Sequence, residues 1–108
     1  MRLENKVAVI TGASSGMGYD MVRHFAMEGA SVLAVARRRE RLEGLKQECS
    51  EFPGKVEIYP ADLSDMDENA RMIDHAIEVF GRVDILVNNA GILDNFAPLG
   101  NIDMALFD

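Results

Sequence analysis

Residues Val7-Ala8-Val9-Ile10-Thr11 begin with an unbroken run of apolar, mostly β-branched side chains. A strand sends successive side chains to opposite faces, so a run of this kind must be covered on both. A sheet with one face open to water is thereby excluded, and helices on each side are the simplest cover. Similar runs return at Ser31 to Ala36 and at Val83 to Val87. Lys55 to Pro60 alternates instead, through Val56, Ile58 and Pro60, and predicts a third strand nearer the sheet edge.

Between the runs the period becomes helical. Met17, Met21, Val22, Phe25 and Ala26 share one helical face, and Gly29 is placed to end that helix. Arg38 to Glu51 reads as a helix with Leu42, Leu45 and Cys49 inward, broken by Phe52-Pro53-Gly54. Ser64 with Asp67 forms a capping pair before a helix that turns Ile73, Ile77 and Phe80 inward and stops at Gly81. The order is βαβαβαβ. A helix in every connection makes the strands parallel, with right-handed crossovers. The expected fold is an α/β, three-layer αβα, doubly wound parallel sheet with strand order 3-2-1-4. Residues 92–108 carry loop signals and a helix start near Asp103, so the pattern stops inside a structural unit. One domain over residues 1–108, truncated after the fourth strand, is expected. The open edge of that strand would then be covered by another chain or leave the fold partly molten.

Composition narrows the function. With 48% hydrophobic and 27% charged residues, the 108-residue chain falls outside the disordered classes. A net charge of −7 disfavours binding to nucleic acid or to an anionic membrane. The charge is uneven: residues 1–50 hold eight basic and six acidic side chains, residues 51–108 three and twelve. An anion site is expected in the first half. Cys49 is a single cysteine, which excludes an internal disulfide. Met1 to Lys6 shows no apolar signal region, and the Val32 to Ala36 run is far too short to span a bilayer. A cytoplasmic protein is expected.

Thr11-Gly12-Ala13-Ser14-Ser15-Gly16-Met17-Gly18 lies between the first strand and the first helix. Gly12 permits a tight turn, Gly16 lets a ligand approach the backbone, and Gly18 lets the helix pack close to the sheet. The free N–H groups and the dipole of the helix start then face an anion. Asp62-Leu63 follows the third strand and Asn88-Asn89-Ala90-Gly91 the fourth. With these three motifs in register, the chain resembles the short-chain dehydrogenase/reductase family over essentially its whole length. The resemblance implies a Rossmann-type fold and a nicotinamide cofactor. It places Gly12, Ser14, Ser15, Gly16, Met17 and Gly18 around the phosphates. It sets Asp62 and Leu63 against the adenine ring and lines the ribose and nicotinamide side with Asn88, Ala90 and Gly91. Asn89 is left to stabilise the fourth strand.

The second strand ends at Ala36, followed by Arg37-Arg38-Arg39-Glu40-Arg41. An NAD site usually places a carboxylate there for the ribose 2′-hydroxyl. Here no carboxylate repels a 2′-phosphate, and a guanidinium is available to bind it. NADP is therefore expected over NAD, with Arg37 as the discriminating residue, as the resemblance also implies. Arg39 and Arg41 read as helix-face partners of Glu43 and Glu48.

Family members carry out hydride transfer with Asn, Ser, Tyr and Lys, the last two spaced Y-x-x-x-K. Tyr19 is followed at that spacing by Arg23 and Tyr59 by Leu63, so neither fits. The catalytic set would lie beyond Asp108, and no catalytic residue is assigned. His24 and His75 are expected at the surface, with no metal-ligand spacing. The full-length parent is expected to be a homo-oligomeric oxidoreductase acting on a small alcohol or ketone. A dinucleotide-binding module without chemistry, or a structural remnant that only associates, remains a distinct alternative. With purified residues 1–108 alone, spectrophotometric assay of NADPH oxidation by ketones is expected to stay at background. Turnover abolished by Gly16→Val would contradict that expectation.

Overall fold

The computed structural model describes residues 3–14, 16–64, 66–89 and 104–106. The chain runs β1 (Val7–Thr11), α1 (Gly16–Met27), β2 (Ser31–Ala36), α2 (Arg39–Glu48), β3 (Lys55–Pro60), α3 (Met66–Phe80), β4 (Ile85–Val87) and β5 (Met104–Leu106). The sheet order is β3-β2-β1-β4-β5. The first four strands are mutually parallel, as the helical crossovers require.

The apolar runs do what their composition demands. Every residue of β1 is buried. Ala8 and Ile10 face α1 and α2, packing with Val22, Ala26, Leu42, Leu45 and Cys49. Val9, Leu33 and Val35 face the other way, onto Met72 and Ala76 of α3. Each large aliphatic side chain buried in this way contributes about 1.5–3 kcal/mol. β3 is the outer strand, and after Val56 its residues are only half-buried.

Some side chains depart from the helical-face reading. Ile77 is 46% exposed, and Met72 and Ala76 take the central inward positions of α3. Met17 is 50% exposed, because it sits in the first turn of α1, beyond the sheet face that Val22 and Ala26 cover. Residues 104–106 form a strand antiparallel to β4 rather than continuing a helix begun near Asp103. The outer edge of β4 is therefore paired within the chain, with Leu86 opposite Ala105. The backbone groups of that edge would otherwise lack partners, and pairing them outweighs the weak helix signal.

β4 begins two residues later than its apolar run, and Asp84 is the reason. The Asp84 N–H donates to the Val7 carbonyl at 2.8 Å. Its carboxylate accepts the Val7 N–H at 2.8 Å and Arg82 Nε at 2.9 Å, with Arg82 Nη2 also donating to it. The first rung between β1 and β4 thus uses a buried side chain. Burial pushes the Asp84 carboxyl up, but the Arg82 hydrogen bonds, the Val7 N–H and the charges of Arg82 and Lys6 outweigh it and leave it lowered. Stability from the ionised group is then present above its unfolded pKa near 3.8 and lost as pH falls through the lower folded value. Asp84→Ala is expected to cost about 1–3 kcal/mol at neutral pH, since it strands the Val7 N–H. Denaturant unfolding at pH 7 and in acid should show the difference from wild type shrinking below pH ~4.

Candidate functional site

Parallel strands finish at one edge of the sheet, and ligands bind such sheets at that edge. The Gly12 loop, Arg37, Asp62 and Asn88 follow β1, β2, β3 and β4 respectively, so all four segments lie along it. Ser15, Ala90 and Gly91 lie outside the described residues.

The glycine loop is held from the sheet. Gly12 and Gly16 have φ of 64° and 59°, a region that favours glycine. The Ala13 N–H donates to the Val35 carbonyl at 3.1 Å, tying the loop to β2. Gly18 is where α1 touches the loop. A Cβ there would stand 2.1 Å from the Gly12 carbonyl oxygen and 2.7 Å from Asn89 Nδ2. At Gly16 a Cβ would meet nothing within 4 Å, so that backbone faces open space. The two glycines have opposite uses: one admits the protein to itself, the other admits something from outside.

Thr11 and Asn89 join this loop to the end of β4. Thr11 Oγ1, buried, accepts the Asn89 N–H at 2.9 Å and lies 3.2 Å from Asn88 Oδ1 and 3.4 Å from the Val87 carbonyl. Asn89 Nδ2 donates to the Gly12 carbonyl at 3.4 Å, while Asn89 Oδ1 is buried with no acceptor role among the described residues. Sequence reasoning gave Thr11 no part. Its signals were a hydroxyl closing an otherwise apolar strand and its place at the head of the glycine motif.

Electrostatics favour an anion at the loop. α1 has no acidic residue in its first turn, whereas α2 has Glu40 and α3 has Asp67 and Glu68. The positive pole of α1 is therefore left uncompensated by its own sequence. Arg37 is exposed and belongs to none of the described ion pairs. The Ala61 N–H donates to the Ala36 carbonyl at 2.8 Å, which brings the ends of β2 and β3 together. Asp62 accepts the Ser64 N–H at 3.0 Å and the Ser64 hydroxyl at 2.8 Å. Those bonds lower its carboxyl below the usual range against the opposing effect of burial, and the Arg37 charge adds a lesser lowering. Leu63 packs half-buried against the cluster around Val9 and Val35.

Of the two expected ion pairs, one forms and one rearranges. Arg39 does meet Glu43, at 3.6 Å. Glu48 is taken by Tyr19, at 2.6 Å, and by Arg23, at 3.3 Å, because both project from α1 toward the end of α2. Arg41 donates instead to the Ser14 carbonyl at 3.3 Å. His24 is exposed, while His75 is half-buried with its ring 5.0 Å from that of Tyr59. No group of three or more His, Cys, Asp or Glu among the described residues could hold a metal ion. No helix there is long and apolar enough to cross a membrane.

The family model for short chain dehydrogenase matches residues 6–108. The chain belongs to the short-chain dehydrogenase family. It is 44% identical over 101 residues to 3beta-hydroxysteroid dehydrogenase 2 of Eggerthella lenta, covering 94% of this chain and 39% of that protein. It is 45% identical over 92 residues to the 3-oxoacyl-[acyl-carrier-protein] reductase FabG of Thermotoga maritima, covering 85% and 37%. The chain thus spans about two fifths of the length of these curated relatives. The crystal structure of a metagenomic short-chain oxidoreductase in complex with NADP superposes with a TM-score of 0.79 at 38% identity, over 84% of this chain and 41% of that one. The architecture of this short-chain dehydrogenase chain, a Rossmann-type sheet of order 3-2-1-4 with flanking helices, is that of its relatives.

The glycines yield an ordered prediction. Gly18→Ala is expected to destabilise more than Gly16→Ala, because its Cβ meets backbone rather than open space. Gly16→Ala should cost about 1–2 kcal/mol for the left-handed conformation alone. Gly44, in α2 with nothing within 4 Å of an added Cβ, should instead gain about 1 kcal/mol on change to Ala. Thermal unfolding of the three variants checks the order.

Proposed function

We propose that this chain carries the dinucleotide site of an NADP-dependent oxidoreductase that moves a hydride between NADP(H) and a small alcohol or ketone. Residues 1–108 form the N-terminal part of one nucleotide-binding domain in this reading. The observation that carries the cofactor choice is the end of β2. Ala36 offers no carboxylate to a ribose 2′-hydroxyl, and the next residue, Arg37, is an exposed cation outside the described ion pairs. A relative described in complex with NADP supports the same choice.

The residues fit such a group. Gly16 leaves room at the backbone, and the first N–H groups of α1 lack intrahelical acceptors. Gly12, Ser14, Ser15, Gly16, Met17 and Gly18 would hold the phosphates, with Arg37 on the 2′-phosphate. Asp62, kept ionised by Ser64, would accept a hydrogen bond from the adenine amino group beside Leu63. Asn88, Ala90 and Gly91 would line the nicotinamide side. When bound, the cofactor supplies or receives the hydride. None of the residues assigned here donates the proton that carbonyl reduction requires. The relatives' names point to a steroid in one case and an acyl-carrier-protein conjugate in the other, so the substrate is proposed only as a carbonyl or alcohol.

A charge-assisted hydrogen bond contributes about 1.5–3 kcal/mol, which is about ten- to a hundredfold in affinity. Fluorescence titration should show NADPH bound more tightly than NADH. Arg37→Ala should weaken NADPH about tenfold or more and leave NADH nearly unchanged. Equal losses for both would refute the 2′-phosphate role.

A further inference from the structure

Arg41 has a contact that the 2′-phosphate reading does not use. It stands in the first turn of α2, 27 residues from Ser14, and its Nη1 donates to the Ser14 carbonyl at 3.3 Å. Its neighbours on α2 are engaged differently: Arg39 pairs along the helix with Glu43, and Glu48 is held by Tyr19 and Arg23. None of the described ion pairs includes Arg41. The side chain lines a groove of about 400 Å³ between α1 and α2, with Gly16, Tyr19, Asp20 and Gly44.

The glycine loop is tethered at three successive residues by three different elements. Asn89, after β4, holds the Gly12 carbonyl; Val35 of β2 holds the Ala13 N–H; Arg41 of α2 holds the Ser14 carbonyl. The first comes from the turn that follows β4 and the second from the sheet itself. The third comes from a helix and brings a full positive charge. A backbone carbonyl is the wrong pole for a phosphate, and a guanidinium bonded to it offsets its partial negative charge. Glycines with left-handed φ flank the tethered stretch at Gly12 and Gly16, so the loop has little stiffness of its own.

We propose that Arg41 is a positioning residue of the dinucleotide site, holding the Ser14 carbonyl, and with it the glycine loop ahead of α1, in place for an anion. The proposal rests on the dinucleotide reading of that loop. It separates the two arginines by what they sense. Arg37 reads the 2′-phosphate, which only NADP carries. Arg41 acts through Ser14 on the loop that meets the pyrophosphate, which NADP and NAD share.

The test compares Arg41→Gln and Arg41→Lys with wild type in the full chain. Dissociation constants for NADPH and NADH, thermal unfolding and ligand-free amide hydrogen exchange at Gly16 to Gly18 are measured. Arg41→Gln is expected to weaken both cofactors alike, by about three- to tenfold, and to speed exchange at Gly16 to Gly18 with the unfolding midpoint unmoved. Arg41→Lys should restore much of both, since an ammonium keeps the charge and nearly the reach of the guanidinium, whereas the glutamine amide is neutral and two atoms shorter. A loss confined to NADPH would make Arg41 a second 2′-phosphate ligand and overturn the proposal. Unchanged exchange overturns it as well, even if wild type binds neither dinucleotide, a result that would separately end the dinucleotide reading.

Discussion

β1 has no free face and no free edge. All five residues are buried, β2 pairs on one side and β4 on the other. A strand in that position must place every backbone group with a protein partner, because water does not reach it. The pairing with β4 is short, only Ala8 to Ile10, and side chains complete it at both ends. Asp84 takes the Val7 N–H at the start, and Thr11 takes the Asn89 N–H at the finish. These two polar contacts set where β4 sits, and therefore where the Asn88-Asn89 turn meets the glycine loop.

Because the strands are parallel, the finishing end of this seam is also the candidate site. The same atoms serve both. The Gly12 carbonyl accepts Asn89 Nδ2 and excludes a Cβ at Gly18. Packing of α1 on the sheet and shape of the loop are thus one contact. Damage at Gly18 or Thr11 would change stability and site geometry together. Arg37 differs, since it is exposed and contributes nothing to the core; its substitution reads out recognition with little confusion from folding.

The strand order, and with it the gathering of the candidate segments along one sheet edge, was legible in the sequence because it follows from strong, redundant signals. Three apolar runs and one alternating segment joined by helical periods admit few topologies, and glycines between a strand and a helix mark a close approach. What was not legible depends on partners far apart in the chain. Asp84 stands within an apolar run with no visible partner until Val7, 77 positions away, is seen to need an acceptor. Ile77 has the right period for the core, yet Met72 and Ala76 occupy the sheet side of α3. Arg41 sits at helix spacing from plausible carboxylates and reaches a carbonyl instead. The β5 segment is three residues long, too short for any period to identify, and is defined by the edge it covers.

The charge pattern also acts locally. The chain carries −7 overall, which would repel a phosphorylated ligand if the protein behaved as one smeared charge. At physiological ionic strength charges more than about 8 Å apart are largely screened, so the nearest groups decide. Around the glycine loop those groups are the start of α1, with no acid in its first turn, Arg41 on the Ser14 carbonyl, and Asp20 one turn along α1 in the same groove. Acids are placed instead in the first turn of α3, where Asp67 and Glu68 complement the dipole of that helix. The starts of α2 and α3 are compensated by their own sequences, and that of α1 is not. The distinction lies in which helix start omits its carboxylates, and a net charge of either sign is compatible with it.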